Sequence, residues 1–351
     1  MTNCLIDSHL HTNGTVARLA EPLGIGTVTV PNRVFLAPMS GVSDRAFREL
    51  AAEAGAGLVV SEMVASDALV RGHPESVVRA ERAGRGPHVV QLVGREARWM
   101  AEGARAATDA GADIVDINMG CPARKVTSGY SGSALMRDLD HAQALIEATV
   151  NATPLPVTLK MRLGWDDSSR NAPELARRAE ATGVQMIVVH GRTRCQFFGG
   201  HADWAAIADV KAAVRIPVIA NGDLESAGDL EEMLRLSGAD GVMVGRGACG
   251  RPWFPGALAR YARTGRYPQE PEGSALIERI LRHYDGILEL YGPVFGVRAA
   301  RKHLGWYWDR HGLARGAKGK ALRTQLMTEN DANAVRRVLA GIACETTTRA
   351  A

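Results

Sequence analysis

Eight short apolar runs, rich in strand-forming Val and Ile, punctuate the chain between residues 33 and 262, and each is followed by a segment of helical length. They lie at 34–37, 57–62, 88–93, 113–118, 156–161, 185–190, 216–221 and 240–245. Runs this short and this apolar read as strands buried on both faces, the pattern of a parallel sheet. Amphipathic segments at 44–54, 96–110, 138–152 and 225–236 lie between them, and Gly55, Gly111, Gly183 and Gly238 stand where a helix stops before the next strand. Eight strand–helix units in this span match an α/β TIM (β/α)8 barrel. A doubly wound open sheet has fewer strands as a rule and an early G-x-G-x-x-G turn, which the first strand here lacks.

The pattern changes after Pro271. Segments 273–291, 297–310, 317–325 and 330–343 carry helical spacing with no strand between them. The expected organisation is a flexible N-terminal extension over 1–22, the barrel over 23–264 and a small C-terminal all-helical domain over 265–345. His9 and His11 are spaced like a pair of metal ligands. No further ligand cluster accompanies them, so they read as part of the extension and no metal site is expected.

With 46% hydrophobic and 23% charged residues, the chain is not disordered as a whole. No apolar run approaches the ~20 residues of a membrane span. Asp7, His9 and His11 stand where a signal peptide needs an apolar core, so a cytoplasmic protein without membrane association is expected. No long apolar surface stripe stands out, which points to a monomer. The five cysteines are far apart and form no C-x-x-C pair, so a thiol that matters here matters alone. Charge is unevenly placed: residues 256–351 hold 16 Lys+Arg against 9 Asp+Glu. Between Arg298 and Arg323 there are eight cations and one acid, Asp309, a balance that suits phosphate contact. Trp306, Tyr307 and Trp308 interrupt that run and read as core aromatics.

Active sites of such barrels sit at the C-terminal ends of the strands. Those ends read Pro38-Met39-Ser40-Gly41, Gln91, Asn118-Met119-Gly120-Cys121-Pro122, Lys160-Met161-Arg162, His190-Gly191-Arg192-Thr193, Asn221-Gly222-Asp223 and Gly245-Arg246-Gly247. Any one of these could be a turn; a turn does not explain their coincidence on one face. The loops after the last two strands commonly bind phosphate, and Gly222, Gly245 and Gly247 with Arg246 suit that role. Lys160 is a cation placed to stabilise negative charge on a reduced flavin, and Gln91 can both donate to and accept from a flavin's amide edge. Cys121 sits in a Gly-Cys-Pro turn ahead of a Gly- and Ser-rich loop. Its thiol, with an ordinary pKa of about 8.5, is mostly protonated at neutral pH and can serve as a general acid. A nucleophilic role would need a base or cation beside it, and spacing alone does not place His190 or Lys125 there.

Taken in order, the segments 37–44, 116–122, 160–162, 190–193, 221–223 and 245–246 resemble the tRNA-dihydrouridine synthases, over residues 33 to about 310. The stretch Asn118–Val126 and the segment Val297–Leu304 are similar to the B-type bacterial subgroup, which points to the uridine at tRNA position 17. The resemblance implies an FMN enzyme that reduces the C5–C6 bond of a D-loop uridine in tRNA, with NADPH or NADH reducing the flavin. It implies that Pro38, Met39 and Ser40 line the flavin, that Gln91 and Lys160 bind its ring, and that His190 stands beside it. Asn221, Gly222, Asp223, Gly245 and Arg246 would hold the ribityl phosphate. Asn118 and Arg162 would contact the uracil, Cys121 would be the acid on a mobile loop, and Arg298, Arg301 and Lys302 would meet the tRNA. A flavin barrel reducing a small pyrimidine is the nearest rival, but a small substrate gives no reason for the basic C-terminal region. A tRNA-binding regulatory protein with vestigial catalytic residues is the other, and intact Cys121, Lys160 and His190 argue against it.

Overall fold

The computed structural model describes residues 14–314 and 316–348. A two-stranded hairpin comes first, β1 (Leu23–Ile25) and β2 (Val28–Val30). Eight strands follow: β3 (Val34–Leu36), β4 (Leu58–Ala65), β5 (Val89–Val93), β6 (Ile114–Met119), β7 (Val157–Arg162), β8 (Met186–His190), β9 (Val218–Asn221) and β10 (Gly241–Val244). All neighbours are parallel, and β10 closes on β3 with Val242 opposite Val34 and Val244 opposite Leu36. Helices cover the outside, so the strands are buried on both faces. This is the TIM barrel that the eight apolar runs predict. The helix stops expected at Gly55, Gly111, Gly183 and Gly238 all adopt positive φ.

Side-chain parity divides each strand between two cores. Outward residues such as Val34, Leu36, Val90, Val115, Leu159, Ile187, Val218 and Val242 meet the helices. Inward residues Phe35, Leu58, Val60, Val89, Ile114, Met186, Val188, Ile219 and Met243 fill the barrel together with Leu23, Ile25 and Val30, so the hairpin plugs one end of the interior.

The flexible extension expected over 1–22 needs correction over its second half. Residues 14–20 form a short helix and a 3-10 turn, and Val16 and Leu19, each 1% exposed, are buried in the barrel–helix core. Two apolar side chains three residues apart suffice to fasten this segment. Residues 1–13, with His9 and His11, lie outside the described residues, as does Arg315.

After the barrel, a helix spans Gly273–His311, broken at Gly292 (φ 73°, ψ 167°) just before Pro293. The break falls between the two segments expected there. Helices Gly316–Thr328 and Ala332–Thr348 complete the chain. Their core is Ile277, Ile280, Tyr284, Val297, Leu304, Tyr307, Trp308, Leu326 and Leu339, joined by Ala46 and Trp253 of the barrel. Tyr307 and Trp308 are thus core aromatics as expected, whereas Trp306 is not. Among the described residues no helix is long and apolar enough to cross a membrane.

Candidate active site

The inward parity that is apolar low in the barrel turns polar toward the strand ends. On β5 it runs Val89, Gln91; on β6 Ile114, Asp116, Asn118; on β7 Thr158, Lys160, Arg162; on β8 Met186, Val188, His190; on β9 Ile219, Asn221. The switch opens a cavity of about 470 Å³ at the C-terminal mouth. Pro38, Met39, Ser40, Gln91, Asn118, Cys121, Lys160, Arg162, His190, Asn221, Gly222, Asp223, Gly245 and Arg246 all line it. The sequence reading missed Met63, Phe197, Phe198, Cys249 and Trp306 on its walls. Phe197 and Phe198 sit in the loop after His190-Gly191-Arg192-Thr193, and nothing in their pattern marked them as facing the mouth.

A buried hydrogen-bond chain runs from the barrel interior to the cysteine. Thr158 Oγ1 donates to Asp116 Oδ1 at 2.6 Å, Gln91 Nε2 donates to Asp116 Oδ2 at 2.7 Å, and Asn118 Nδ2 donates to Gln91 Oε1 at 2.7 Å. Asn118 Oδ1 then accepts from the backbone N–H of Gly120 and of Cys121, at 3.2 and 3.0 Å. Asn118 therefore shapes the turn that carries the thiol. The loop beyond is also fastened: Ser133 Oγ donates to the Cys121 carbonyl at 2.8 Å, and residues 132–136 are buried. The far end of the Gly/Ser loop is thus anchored, while Ser128 and Tyr130 before it are exposed. Burial pushes the Cys121 thiol up, against the pull of Arg162 and Lys160, so it is protonated at neutral pH.

Arg162 is buried, and its guanidinium ties three carbonyls together: Gly120 through Nε, and Thr193 and Phe197 through Nη1, each at 2.8 Å. It fixes the cysteine turn to the loop after β8. Burial, then Arg192, lowers its pKa to about 10. Lys160 Nζ donates to Asn221 Oδ1 at 2.9 Å, and burial first, then Arg162, lowers its pKa to about 8. His190 is held neutral by burial and by Lys160, Arg162, Arg192 and Arg246 around it. Arg192 Nη1 stands 3.3 Å from His190 Nε2, and a guanidinium only donates, so Nε2 accepts and the proton sits on Nδ1.

Asp223 lines the cavity with its carboxylate already engaged by the protein. Its carboxylate accepts from Arg192 at 2.8 and 2.5 Å, from Arg246 at 3.2 Å and from the Ala202 N–H at 2.8 Å. Burial alone would raise its pKa, but the Arg192 hydrogen bonds hold it below the usual carboxylate range. A carboxylate so engaged positions two guanidiniums beside the cavity that Asp223 lines. Gly222 turns with φ 121°, and a Cβ there would stand 2.7 Å from Ala202 Cβ and 2.9 Å from His190 Cδ2. At Gly245 a Cβ would meet nothing nearer than 3.9 Å, so its backbone faces open cavity.

The three helical-domain cations are not gathered in the cavity. Arg298 and Lys302 are exposed, and Lys302 Nζ lies 3.5 Å from where a Gly41 Cβ would be, at the rim. Arg301 Nη2 instead donates to the carbonyls of Thr328 and Glu329, at 3.4 and 2.9 Å, where the helix Gly316–Thr328 ends.

Comparison with known proteins adds a family to this geometry. The model of the dihydrouridine synthase (Dus) family matches residues 35–347. A probable tRNA-dihydrouridine synthase of Rhizobium leguminosarum bv. phaseoli is 57% identical over 304 residues, covering 87% of this chain and 93% of that one. The tRNA-dihydrouridine synthase B of Xanthomonas campestris pv. campestris is 48% identical over 288 residues, covering 82% and 87%. Among solved structures, morphinone reductase is similar in fold, with a TM-score of 0.51 at 19% identity over 74% of this chain and 92% of that one. With the family match spanning the barrel and the helices behind it, the chain belongs to the dihydrouridine synthase family.

Proposed function

We propose that this protein, acting as a monomer in the cytoplasm, reduces the C5–C6 double bond of a D-loop uridine in tRNA, at position 17, with FMN as cofactor and NADPH or NADH as reductant. One observation carries the reading: a protonated thiol, Cys121, is held at the mouth of a cavity that also collects Lys160, His190, Asn221, Gly222, Gly245 and Arg246.

The residues fit FMN. Gln91 offers an amide edge, Lys160 a buried cation, Gly245 open backbone and Arg246 a guanidinium held by Asp223. Pro38, Met39 and Ser40 would line the ring system, His190 would stand beside it as a neutral imidazole, and Gly222, Gly245 and Arg246 would meet the phosphate. Bound there, FMN would supply hydride chemistry to the uracil ring. The protein supplies the rest. Charge develops across uracil C5 and O4 as C6 is attacked, and a proton at C5 removes it. Cys121 Sγ–H donates that proton, and the turn set by Asn118 and Ser133 fixes where it is donated. A base reaches this mouth only after leaving its stack, so the uridine is flipped.

The experiment is an incubation of the protein and NADPH with tRNA lacking dihydrouridine, followed by mapping of any product. Dihydrouridine at one D-loop site is expected. Cys121→Ala is expected to retain flavin and tRNA binding and to slow uridine reduction about 100-fold or more, the range of a lost general acid. Normal turnover by that variant would remove Cys121 from the mechanism.

A further inference from the structure

The strand order around the ring is β10-β3-β4-β5-β6-β7-β8-β9, so β6 and β7 stand diametrically across from β10 and β3. The helical domain occupies the β10/β3 side. Phe47, in the helix after β3, packs on His283 and His303, and Gly250, after β10, lies against the Trp306 backbone. Cations that reach RNA from that domain act on one bank of the mouth only.

The opposite bank carries its own cations, held by aromatic rings. Trp165, in the loop after β7, has the guanidinium carbon of Arg137 at 4.8 Å and that of Arg194 at 4.7 Å from its ring centre. Arg194 also lies 4.8 Å from the ring centre of Phe197, a residue of the cavity wall. Backbone bonds from Arg194 N to Gly164 O and from Cys195 N to Trp165 O, at 2.9 and 2.8 Å, lock the loops after β7 and β8 together. Neighbouring carboxylates are engaged elsewhere: Asp167 with Arg170, Asp140 with Arg178, Asp166 with Ser168 and Ser169, and Asp138 with the His141 N–H. Among the described residues neither Arg137 nor Arg194 is in an ion pair.

We propose that Arg137 and Arg194, stacked on Trp165, form a phosphodiester clamp that grips the RNA backbone beside the flipped nucleotide, on the bank opposite the helical domain. A guanidinium lying on an aromatic face is already ordered and loses little freedom on binding. Exposed Arg137 presents its N–H edge to phosphate, and half-buried Arg194, whose Nε is buried and whose Nη2 donates to Thr127 Oγ1 at 3.4 Å, presents its Nη groups. Extruding one nucleotide into a cavity strains the backbone on both sides of it, and the helical domain supplies a hold on one side. The inference rests on the tRNA reading above and extends it to the part of the surface where the substrate is held.

The test uses the full chain loaded with FMN and tRNA lacking dihydrouridine. Arg137→Ala and Arg194→Ala are each expected to weaken tRNA binding roughly tenfold and to lower the slope of log affinity against log salt by about one. Reduction of the flavin by NADPH is expected to be unchanged in both. Trp165→Leu keeps both charges, so it is expected to weaken binding with the slope intact. Wild-type affinity and slope in both arginine variants would overturn the clamp. So would a loss of NADPH-driven flavin reduction that accounts for the defect. If the wild-type protein binds tRNA through this bank and forms no dihydrouridine, the reduction reading fails and the clamp stands.

Discussion

At the scale of single residues, Lys160 links the cavity to pH. Its hydrogen bond goes to the neutral Asn221 amide, and burial brings its pKa to about 8. The ammonium is present below that value and lost above it. If the charge stabilises a reduced ring, single-turnover uridine reduction is expected to fall about tenfold per pH unit once pH exceeds about 8. Lys160→Arg, whose charge persists, is expected to flatten that alkaline limb. No inflection near 6.5 is expected from His190, which burial and four nearby cations keep neutral. A profile flat to pH 10 in the wild type would remove Lys160 from the chemistry. Gly222 makes a steric prediction. With φ 121° and His190 Cδ2 2.9 Å from any added Cβ, Gly222→Ala is expected to cost about 1–3 kcal/mol and to lower the flavin-to-protein ratio. A variant with wild-type melting temperature and full flavin content would show that the turn relaxes freely.

At the scale of elements, two arginines three positions apart on one helix are expected to behave differently. Arg301 takes up the carbonyls that end Gly316–Thr328, together with Asn330 Oδ1 at 2.9 Å, so Arg301→Ala is expected to destabilise the helical domain by about 1–3 kcal/mol. Arg298 is exposed, and Arg298→Ala is expected to leave the melting temperature alone and to weaken tRNA binding. Melting and binding measured on both variants separate the roles; equal loss of tRNA affinity with no loss of stability would return Arg301 to the RNA. Sequence spacing does not distinguish them, because which side chain is used inside depends on where a neighbouring helix ends. The same limit applies to Asn118 and Asp223: both line the cavity as expected, and the fold adds roles that spacing does not show, holding the cysteine turn and two guanidiniums. The barrel itself was legible because eight apolar runs repeat one pattern with glycine stops between them. The β1–β2 hairpin was not legible: three residues per strand, in Leu-Gly-Ile and Val-Thr-Val, leave too little alternation to detect. Trp306 was read with its neighbours Tyr307 and Trp308, yet helical rotation carries it to the cavity wall and them to the core.

At the scale of the whole molecule, the seam between barrel and helical domain is expected to fail in acid. His283 and His303 face each other there with ring centres 4.7 Å apart, against Phe47 and Tyr307. His283 Nδ1 meets the Tyr307 hydroxyl at 3.0 Å, while His283 Nε2 and both nitrogens of His303 are buried with no partner among the described residues. Burial first, and then the nearby Lys302, lowers His283 to about 3. Burial and then His283 hold His303 well below its ordinary range. Both imidazoles are therefore neutral when folded and charged in the unfolded chain below about pH 6.5. The unfolded state binds the extra protons, so the stability they contribute is present above pH 6.5 and is lost as pH falls toward their folded values, by about 1.4 kcal/mol per pH unit for each. Asp44 works in the opposite sense between 3.8 and about 6, because burial raises it and the folded state takes up its proton first, offsetting part of the loss. The seam also bears on the site: Trp306, 5.2 Å from the His303 ring, is a wall of the cavity, so a loosened seam releases one side of the mouth. Denaturant unfolding between pH 4.5 and 7.5 is expected to show stability falling through this window. His303→Phe, which removes a titrating group with no hydrogen bond to lose, is expected to flatten the slope by up to 1.4 kcal/mol per pH unit. An unchanged slope in that variant would mean that the acid sensitivity lies elsewhere, in carboxylates such as Asp223 that hold their partners only when ionised.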